Sequence, residues 1–308
     1  MKSVKKTKLD KKMDIIKQRE ERGFLENKSQ NRALRRFFNN RLAVLGLIIF
    51  TVILLATIFA PIICKYSPLS IDLLNRLQPP LLLDHILGTD KIGRDVFARI
   101  LYGGRVSIFV GVGSALGAAI IGVLIGSYAG YKGGLIDNIF IRISEIMMSF
   151  PSIVLVLLLV SILGQSLWNL IVIFILTGWG SIYRMTRARI LSIREEEYIL
   201  ALKAFGLNDI IICYKHMLPN ALGPVLVNVT LSTAMFILQE AALSFLGLGV
   251  PLNIPTWGNI LNVAQDICVL RENWWIWLPV GTVISIFVLS VNFIGDGLRD
   301  SIDPMQQG

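Results

Sequence analysis

The sequence predicts an all-α, polytopic membrane protein with six transmembrane helices. Of its 308 residues, 54% are hydrophobic, and the mean hydropathy of +0.65 is high for a soluble domain of this length. The apolar residues fall in runs of about 20, the length that an α-helix needs to cross a hydrocarbon core about 30 Å thick. The composition and its patterning therefore exclude a soluble globular protein.

Six apolar runs are long enough to be membrane spans. We place them at residues 42–63, 106–129, 139–163, 167–182, 221–246 and 277–294. Pro151 lies inside the third run, where its ring and its missing N–H predict a kink or a break. In the second run, Gly122, Gly126 and Gly130 share one helix face, and such spacing lets helix backbones approach closely in lipid. We expect this face to pack within the chain rather than against another subunit.

The basic residues predict the orientation of the chain. Residues 1–41 contain fourteen Lys or Arg and five Asp or Glu, an excess that equals the net charge of +9 of the whole chain. We predict a basic cytoplasmic tail over 1–41, close to anionic lipid, and a cytoplasmic loop at 183–220. The loops at 64–105 and 247–276 then face outward, and the even number of spans returns the C-terminal tail, 305–308, to the cytoplasm. We expect no nucleic-acid partner, because the basic tail leads directly into a membrane span.

Motifs for catalysis are missing from the sequence. It contains no Walker A, GxSxG or HExxH pattern, and its three cysteines and two histidines lack metal-ligand spacing. We therefore predict no catalytic, cofactor or metal site, and no ATP site in this chain. The stretch GTDKIGRD lacks the spacing of a phosphate-binding loop and predicts a turn capped by Asp90, followed by a short amphipathic helix from Val96.

Glu240 is the one ionisable residue deep inside an apolar run, MFILQEAALSFLGLG. A carboxylate in lipid costs several kcal/mol unless it faces the protein interior, finds a partner or is protonated. One interpretation places Glu240 on a substrate path or a proton relay. The other makes it an acceptor of hydrogen bonds that fixes the outer part of the fifth span, and we favour this structural role.

The stretch EYILALKAFGLNDIIICYKHMLPN, residues 197–220, has mixed polarity between two apolar runs. Helix rules predict a first helix over Tyr198–Phe205 that Gly206 ends, and a second over Ile210–Met217 that Pro219 stops. Neither helix is long enough to span a membrane. The pattern leaves two interpretations open: a knob that enters a groove of another protein, or an interfacial helix pair without a partner.

This stretch resembles the coupling segment of ABC-importer permeases, in which EAA, three residues, Gly and nine residues precede I-x-L-P. Ala201, Gly206, Leu218 and Pro219 stand at matching positions, whereas Leu200, Leu202 and His216 replace the usual Glu, Ala and Ile. The resemblance implies that the segment docks into a cytoplasmic ATPase. The residues to which it assigns this contact are Ala201, Ala204, Gly206, Leu218 and Pro219.

The resemblance covers residues 32–304 and is specific for the C-type permease of oligopeptide and dipeptide importers. Its further blocks are LGTDKIGRDVFARILYGGRVSI, QEAALSFLGLGVPLNIPTWGNIL and GDGLRDSIDP. It implies a transmembrane permease domain over 42–304 in a bacterial cell membrane. It also implies a B-type permease partner, two cytoplasmic ATPases that bind ATP and Mg, and an extracytoplasmic solute-binding protein.

The resemblance implies peptides as the substrate, and two alternatives remain open. Within the family, the solute could be nickel or another small solute. From another class, the chain could be an ion-coupled secondary transporter, for which Glu240 is the one candidate ion site. An intramembrane enzyme is weaker still, because the sequence has no paired-Asp, Ser/His or HExxH arrangement.

Overall fold

The computed structural model describes residues 34–82 and 84–302, and the regular structure within these ranges is helical. Most of the predicted basic tail, up to residue 33, and the predicted C-terminal tail, 305–308, lie outside the described residues. We number the helices in chain order. They are α1 (Arg41–Ile58), α2 (Ala60–Ile63), α3 (Val96–Lys132), α4 (Gly134–Ser149), α5 (Ser152–Leu163), α6 (Leu167–Arg194), α7 (Glu197–Ala204), α8 (Asp209–Ile211), α9 (Leu218–Phe245), α10 (Trp257–Leu261), α11 (Ile267–Glu272) and α12 (Trp274–Ile302).

Five stretches of the described chain are long and apolar enough to cross a membrane. They are α1, α3, α6, the continuous helix from α8 through α9, and α12. A sixth crossing requires α4 and α5 together, since these helices are bent by 92° at a short break that contains Pro151. The predicted break at this proline is confirmed. The predicted third span is therefore made of two helices, and it begins at Gly134, five residues before the predicted start.

The bent pair of α4 and α5 covers the thickness of a membrane. Asp137 near the start of α4 is paired with Arg187 of α6, and the carbonyl of Leu163 at the end of α5 accepts a hydrogen bond of 2.7 Å from the Asn169 amide. On α6, positions 169 and 187 are about 27 Å apart at the rise of an α-helix, close to the thickness of a hydrocarbon core. The pair therefore forms one broken span, and in this form the predicted count of six is met.

The helices extend beyond the predicted spans. The short helix predicted to begin at Val96 is the first part of the long helix α3. The N-cap of α3 is Asp95, whose carboxylate accepts a hydrogen bond of 2.6 Å from the Ala98 N–H. Likewise, α6 continues to Arg194 and α12 to Ile302. Hydropathy marks only the part of a helix that lipid surrounds. The helix itself continues into water until a breaking residue ends it.

The glycine face of α3 packs against the backbone of α6. A Cβ atom built on Gly122, Gly126 or Gly130 would crowd carbonyl oxygens of α6. The closest approaches to Trp179, Tyr183 and Arg187 are 2.8, 2.8 and 3.1 Å, respectively. Real Cβ atoms rarely come so close to another atom, so the two helices are in contact only because side chains are missing here. The prediction that this face packs within the chain is confirmed.

Both ends of the described chain lie at the same end of the helix bundle. The Asn40 amide, which caps α1, donates to the Asp300 carboxylate near the end of α12 at 3.2 Å. A Cβ atom on Gly223, in the first turns of α9, would lie 2.5 Å from the side chain of Ile302. The segment at residues 197–220 leads directly into α9 and therefore lies at this same end.

At the opposite end, the loop before α3 is built around the buried carboxylate of Asp90. It accepts hydrogen bonds from Arg94 Nε at 2.7 Å and Arg99 Nη1 at 2.6 Å, and the predicted Asp90 turn is confirmed. Burial alone would raise the pKa of Asp90, but the charges of Arg99 and Arg94 and two backbone N–H donors outweigh it and lower that pKa. A 2.6 Å ion pair between Lys91 and Asp266 joins this loop to the one after α9.

We predict that Gly126→Ala destabilises the protein, because the added methyl group would meet the Tyr183 carbonyl oxygen at 2.8 Å. Overpacking of this kind costs roughly 1–3 kcal/mol. Gly113→Ala on the same helix is the matched control, since a Cβ atom there meets nothing within 4 Å, and both variants share the gain in helix propensity. Thermal unfolding in detergent should show a lower Tm for Gly126→Ala alone. Equal shifts for the two variants would contradict this packing.

Candidate functional site

The coupling segment, which we define as residues 197–220, begins with α7 and a left-handed turn. Gly206 has φ of +73° directly after the C-cap of α7. Its N–H donates to the Lys203 carbonyl at 3.0 Å, and the N–H of Leu207 donates to the Leu202 carbonyl at 3.3 Å. This pair of hydrogen bonds is the Schellman motif, which satisfies the last carbonyl groups of a helix. The prediction that Gly206 ends the first helix is confirmed.

The second helix of the coupling segment does not stop at Pro219. Asn208 caps it by accepting from the Ile210 N–H at 2.9 Å, and the helix then runs without a break from Asp209 to Phe245. A π-helical turn at Ile212–Met217 precedes the proline, with a hydrogen bond from the Leu218 N–H back to the Cys213 carbonyl. Proline cannot donate in the ladder and crowds the preceding turn. The wider π turn accommodates it, so the predicted stop is wrong.

The first part of the coupling segment presents apolar side chains to its surroundings. Ala201, Ala204 and Gly206 are all exposed, and a Cβ atom on Gly206 would meet nothing within 4 Å. Three large apolar residues surround these small ones, with exposed fractions of 51% for Leu200, 80% for Phe205 and 58% for Ile210. An apolar surface of this kind at the end of a helix bundle is typical of a protein contact site.

The two later positions of the matching pattern have different environments. Leu218 is partly buried and packs against a cluster of α3, α6 and α9 that includes Ile182 and Val225. Pro219 is exposed at the start of α9. The five predicted site residues are therefore not all on one contact surface. Ala201, Ala204 and Gly206 lie on the exposed surface, and Leu218 anchors the segment to the bundle.

Hydrogen bonds and an apolar core attach the coupling segment firmly to the bundle. The Tyr131 hydroxyl at the end of α3 donates to the Asp209 carboxylate at 2.6 Å, and the Asn220 amide donates to the Tyr198 hydroxyl at 3.0 Å. The side chains beneath the segment form one buried cluster. Its members are Tyr131, Ile190, Ile193, Ile199, Ile212, Cys213, Met217 and Ala221. A force applied to the exposed surface would therefore reach α3, α6 and α9 directly.

Glu240 lies in a fully buried network of hydroxyl groups near the other end of α9. Its two carboxylate oxygens accept from Ser107 Oγ at 2.9 Å and from Ser244 Oγ at 2.8 Å. The Ser107 oxygen in turn accepts from the backbone N–H of Trp257 at 3.1 Å. The network thus joins α3, α9 and α10. No Lys, Arg or His side chain pairs with Glu240 in the part of the chain that the structure describes, and this geometry supports a structural role.

A polar cleft at membrane depth was not predicted. It has a volume of about 280 Å³ and lies between α5, α6 and α9. Six hydroxyl or amide side chains line it together with Gly178 and three apolar residues. They are Ser152, Thr177, Ser181, Asn228, Ser232 and Gln239. The signal was present in the sequence, because positions 228, 232 and 239 share one face of a helix of 3.6 residues per turn. The prediction rested only on the ionisable residue of this run, Glu240, and not on the spacing of its uncharged polar residues.

Two family models match the chain. One, described as "Binding-protein-dependent transport system inner membrane component", matches residues 122–307, which contain the coupling segment, Glu240 and all residues that line the polar cleft. The other, described as "N-terminal TM domain of oligopeptide transport permease C", matches residues 31–80. Together they cover the described helices except α3 before residue 122.

Curated proteins of bacteria are similar over most of the chain. The oligopeptide transport system permease protein OppC of Bacillus subtilis is 40% identical over 272 residues, 88% of each chain. The dipeptide transport system permease protein DppC of Alkalihalophilus pseudofirmus is 42% identical over 272 residues, again 88% of each. A putative peptide permease protein of Brucella suis is 41% identical over 273 residues, 89% of this chain and 90% of that protein.

We predict that Glu240→Gln is tolerated and that Glu240→Leu is not. Glutamine keeps the shape and one acceptor oxygen for the two serine hydroxyls, whereas leucine leaves Ser107 and Ser244 without an acceptor in a buried site, at a cost of roughly 1–3 kcal/mol. The amount of folded protein and the solute uptake should stay near wild type for the Gln variant, and the folded amount should fall for the Leu variant. Loss of uptake by a well-folded Glu240→Gln protein would instead indicate an ionic role.

Proposed function

The chain belongs to the family of inner membrane components of binding-protein-dependent transport systems, and on that premise we propose that it is the permease subunit of an ATP-driven peptide importer. As a component of a transport permease, it is a multi-pass membrane protein and not an enzyme. Peptide as the solute is supported by its relatives, which are named as oligopeptide, dipeptide or peptide permeases. This support favours peptides over nickel or another small solute.

The observation that carries the ATP-driven part of the proposal is the geometry of the coupling segment. Leu200, Phe205 and Ile210 are largely exposed around the small residues Ala201 and Ala204, and the segment is attached to the bundle from beneath. We assign the surface to an ATPase subunit that binds ATP and Mg in the cytoplasm. A firmly attached, exposed apolar knob is suited to a partner that pushes or pulls on it, since packing at such contacts is as dense as in a protein interior.

The remaining partners follow from the architecture of this family. A second permease of the B type would complete the solute path beside this chain, and a second ATPase would serve it. An extracytoplasmic solute-binding protein would deliver the peptide to the loops on the far side, where the Lys91–Asp266 ion pair joins the two outer loops. Lipid surrounds the remaining apolar faces of the bundle.

The continuous helix from Asp209 to Phe245 provides the mechanical connection. It begins in the coupling segment, passes the polar cleft and reaches Glu240 near its far end. When the ATPases close on ATP, displacement of the coupling segment would tilt this helix as a rigid body, because no break separates the two ends. Rigid-body motion of this kind would switch the solute path between inward-facing and outward-facing states.

We predict that the assembled complex takes up trialanine in proteoliposomes only when ATP is present with the ATPase subunits. Dissipating proton and sodium gradients should leave that uptake unchanged. The complex would contain this chain, its permease partner, its ATPases and its binding protein. Uptake that needs an ion gradient and not ATP would instead support a secondary transporter. Uptake of nickel but not of any tested tripeptide would support the alternative within the family, an importer of nickel.

A substitution at Gly206 tests the coupling segment within the same assay. Gly206→Val should be poorly tolerated, because φ of +73° costs a residue with a side chain roughly 1–2 kcal/mol, and bulk is added to the contact surface. Gly206→Asn is the matched control, since Asn adopts this backbone conformation more readily. We expect the Val variant to lose ATPase co-purification or trialanine-stimulated hydrolysis, and the Asn variant to keep most of both. Normal docking, stimulation and uptake in the Val variant would disprove the assignment.

We predict that the coupling segment faces the cytoplasm. In a protein whose three native cysteines are replaced, Ser70→Cys in the loop after α2 should react with a membrane-impermeant maleimide in intact cells. Ser192→Cys, near the end of α6, should react only after the membrane is opened. Both side chains are exposed in the structure, so accessibility differs only by side of the membrane. Labelling of Ser192→Cys in intact cells would reverse the orientation and remove the ATPase contact.

A further inference from the structure

We propose that the polar cleft between α5, α6 and α9 is this chain's wall of the solute path. In this proposal, its uncharged amide and hydroxyl side chains hydrogen-bond the backbone N–H and C=O groups of a peptide. The inference rests on the proposed function and adds the residues that contact the solute and the chemistry by which they recognise it. It follows from the placement, depth and hydrogen-bonding capacity of the lining residues.

Two helices turn their polar faces towards the same space. On α9, Asn228, Ser232 and Gln239 are separated by four and seven residues and therefore lie on one face. On α6, Thr177 and Ser181 are separated by four residues and lie on one face as well. All five side chains are half-buried and line one cleft.

The cleft lies at the depth of the membrane core. From position 228 to position 239, α9 rises about 16 Å, and both positions lie inside the helix Asp209–Phe245, which is long and apolar enough to cross a membrane. Polar side chains that face lipid at this depth are costly. The other faces of α9 carry exposed leucines, of which Leu226 is 52% exposed and suits contact with lipid. The polar face is therefore the one that water, solute or the second permease covers.

The lining side chains retain hydrogen-bonding capacity. The Asn228 carbonyl oxygen accepts from Ser232 Oγ at 3.2 Å, while its amide nitrogen donates to no atom of the described residues. Thr177 Oγ1 donates to the carbonyl of Ile173 in its own helix at 2.9 Å, which leaves its oxygen free to accept a further hydrogen bond. The cleft thus offers both donors and acceptors, as the alternating N–H and C=O groups of a peptide backbone require.

The charge of the lining selects the class of solute. Among the described residues that line the cleft there is no Asp, Glu, Lys, Arg, His or Cys. A transition-metal cation such as nickel would be held by imidazole, thiolate or carboxylate ligands. Neutral amides and hydroxyls instead bind backbone amides whatever side chains the peptide carries. The arrangement therefore fits peptides of varied sequence, and it lacks the ligands that a nickel ion requires.

The break in the third span contributes directly to the cleft. Ser152, the first residue of α5 after Pro151, accepts a hydrogen bond of 3.1 Å from the Gln239 amide, which bridges α5 and α9 across one end of the cleft. Phe174 and Phe236 stack behind it with ring centres 5.1 Å apart. An unbroken helix would carry position 152 elsewhere. The bend thus places a polar residue on the solute path, and the aromatic pair gives that path a rigid back wall.

Thiol accessibility tests whether the cleft is wet. In the assembled complex without native cysteines in this chain, Ser232→Cys should react with a water-soluble methanethiosulfonate bearing a sulfonate group. We expect reaction about tenfold or more faster than at Leu226→Cys on the lipid face of the same helix, because only thiolates in water react readily. Reaction at Ser232→Cys should also block trialanine uptake. Equal rates at the two positions would overturn the proposal.

Substitution tests whether the lining binds the solute. Asn228→Leu should lower trialanine uptake about tenfold or more, the effect of roughly one lost solute hydrogen bond or more in the path. Asn228→Ser should retain more uptake than the Leu variant, and Leu226→Ala should retain nearly all. Normal uptake by Asn228→Leu would disprove the role of the cleft. By contrast, a wild-type complex that takes up no tripeptide with ATP would disprove the proposed function itself, so the two failures are distinguishable.

Discussion

The close packing of α3 on α6 is the interaction on which the rest of the structure depends. Gly122, Gly126 and Gly130 let α3 and α6 touch backbone to backbone. At one end this pair carries Tyr131 and the buried cluster that hold the coupling segment. At its side it holds the bent pair through the contact of Asp137 with Arg187. Without a hydrophobic driving force between helices in lipid, such van der Waals contact is the main source of attraction.

The sequence was sufficient for those features that depend on local rules. The apolar runs, the break at Pro151, the left-handed Gly206 and the Asp90 turn each follow from residues within one or two turns of chain. The helix ends were less predictable, because hydropathy reports where lipid is and not where hydrogen bonding stops. The predicted helix stop at Pro219 is wrong because the π turn at Ile212–Met217 accommodates the proline ring and its missing N–H. The spacing of Asn228, Ser232 and Gln239 predicts a polar face on α9, but the cleft also requires α5, α6 and α9 to converge, and no rule on one helix predicts that.

The continuity of the helix through Pro219 changes how the two ends of the molecule are related. Two short helices stopped by proline would form a hinged attachment, which could move without disturbing the membrane part. A helix from Asp209 to Phe245 instead makes the capped end at Asn208, the polar face at Asn228 and the buried network at Glu240 parts of one body. Displacement at one end must then be matched at the other. The network around Glu240, which also holds Trp257, ties that body to the segment between α9 and α12.

The neutral lining of the polar cleft has an electrical consequence. The membrane potential does work only on charge, about 2.3 kcal/mol for each elementary charge that crosses 100 mV. Side chains such as Thr177, Ser232 and Gln239 carry none, so their movement through the field neither gains nor loses energy from the voltage. Movement of this wall would then cost the same in an energised and a de-energised cell.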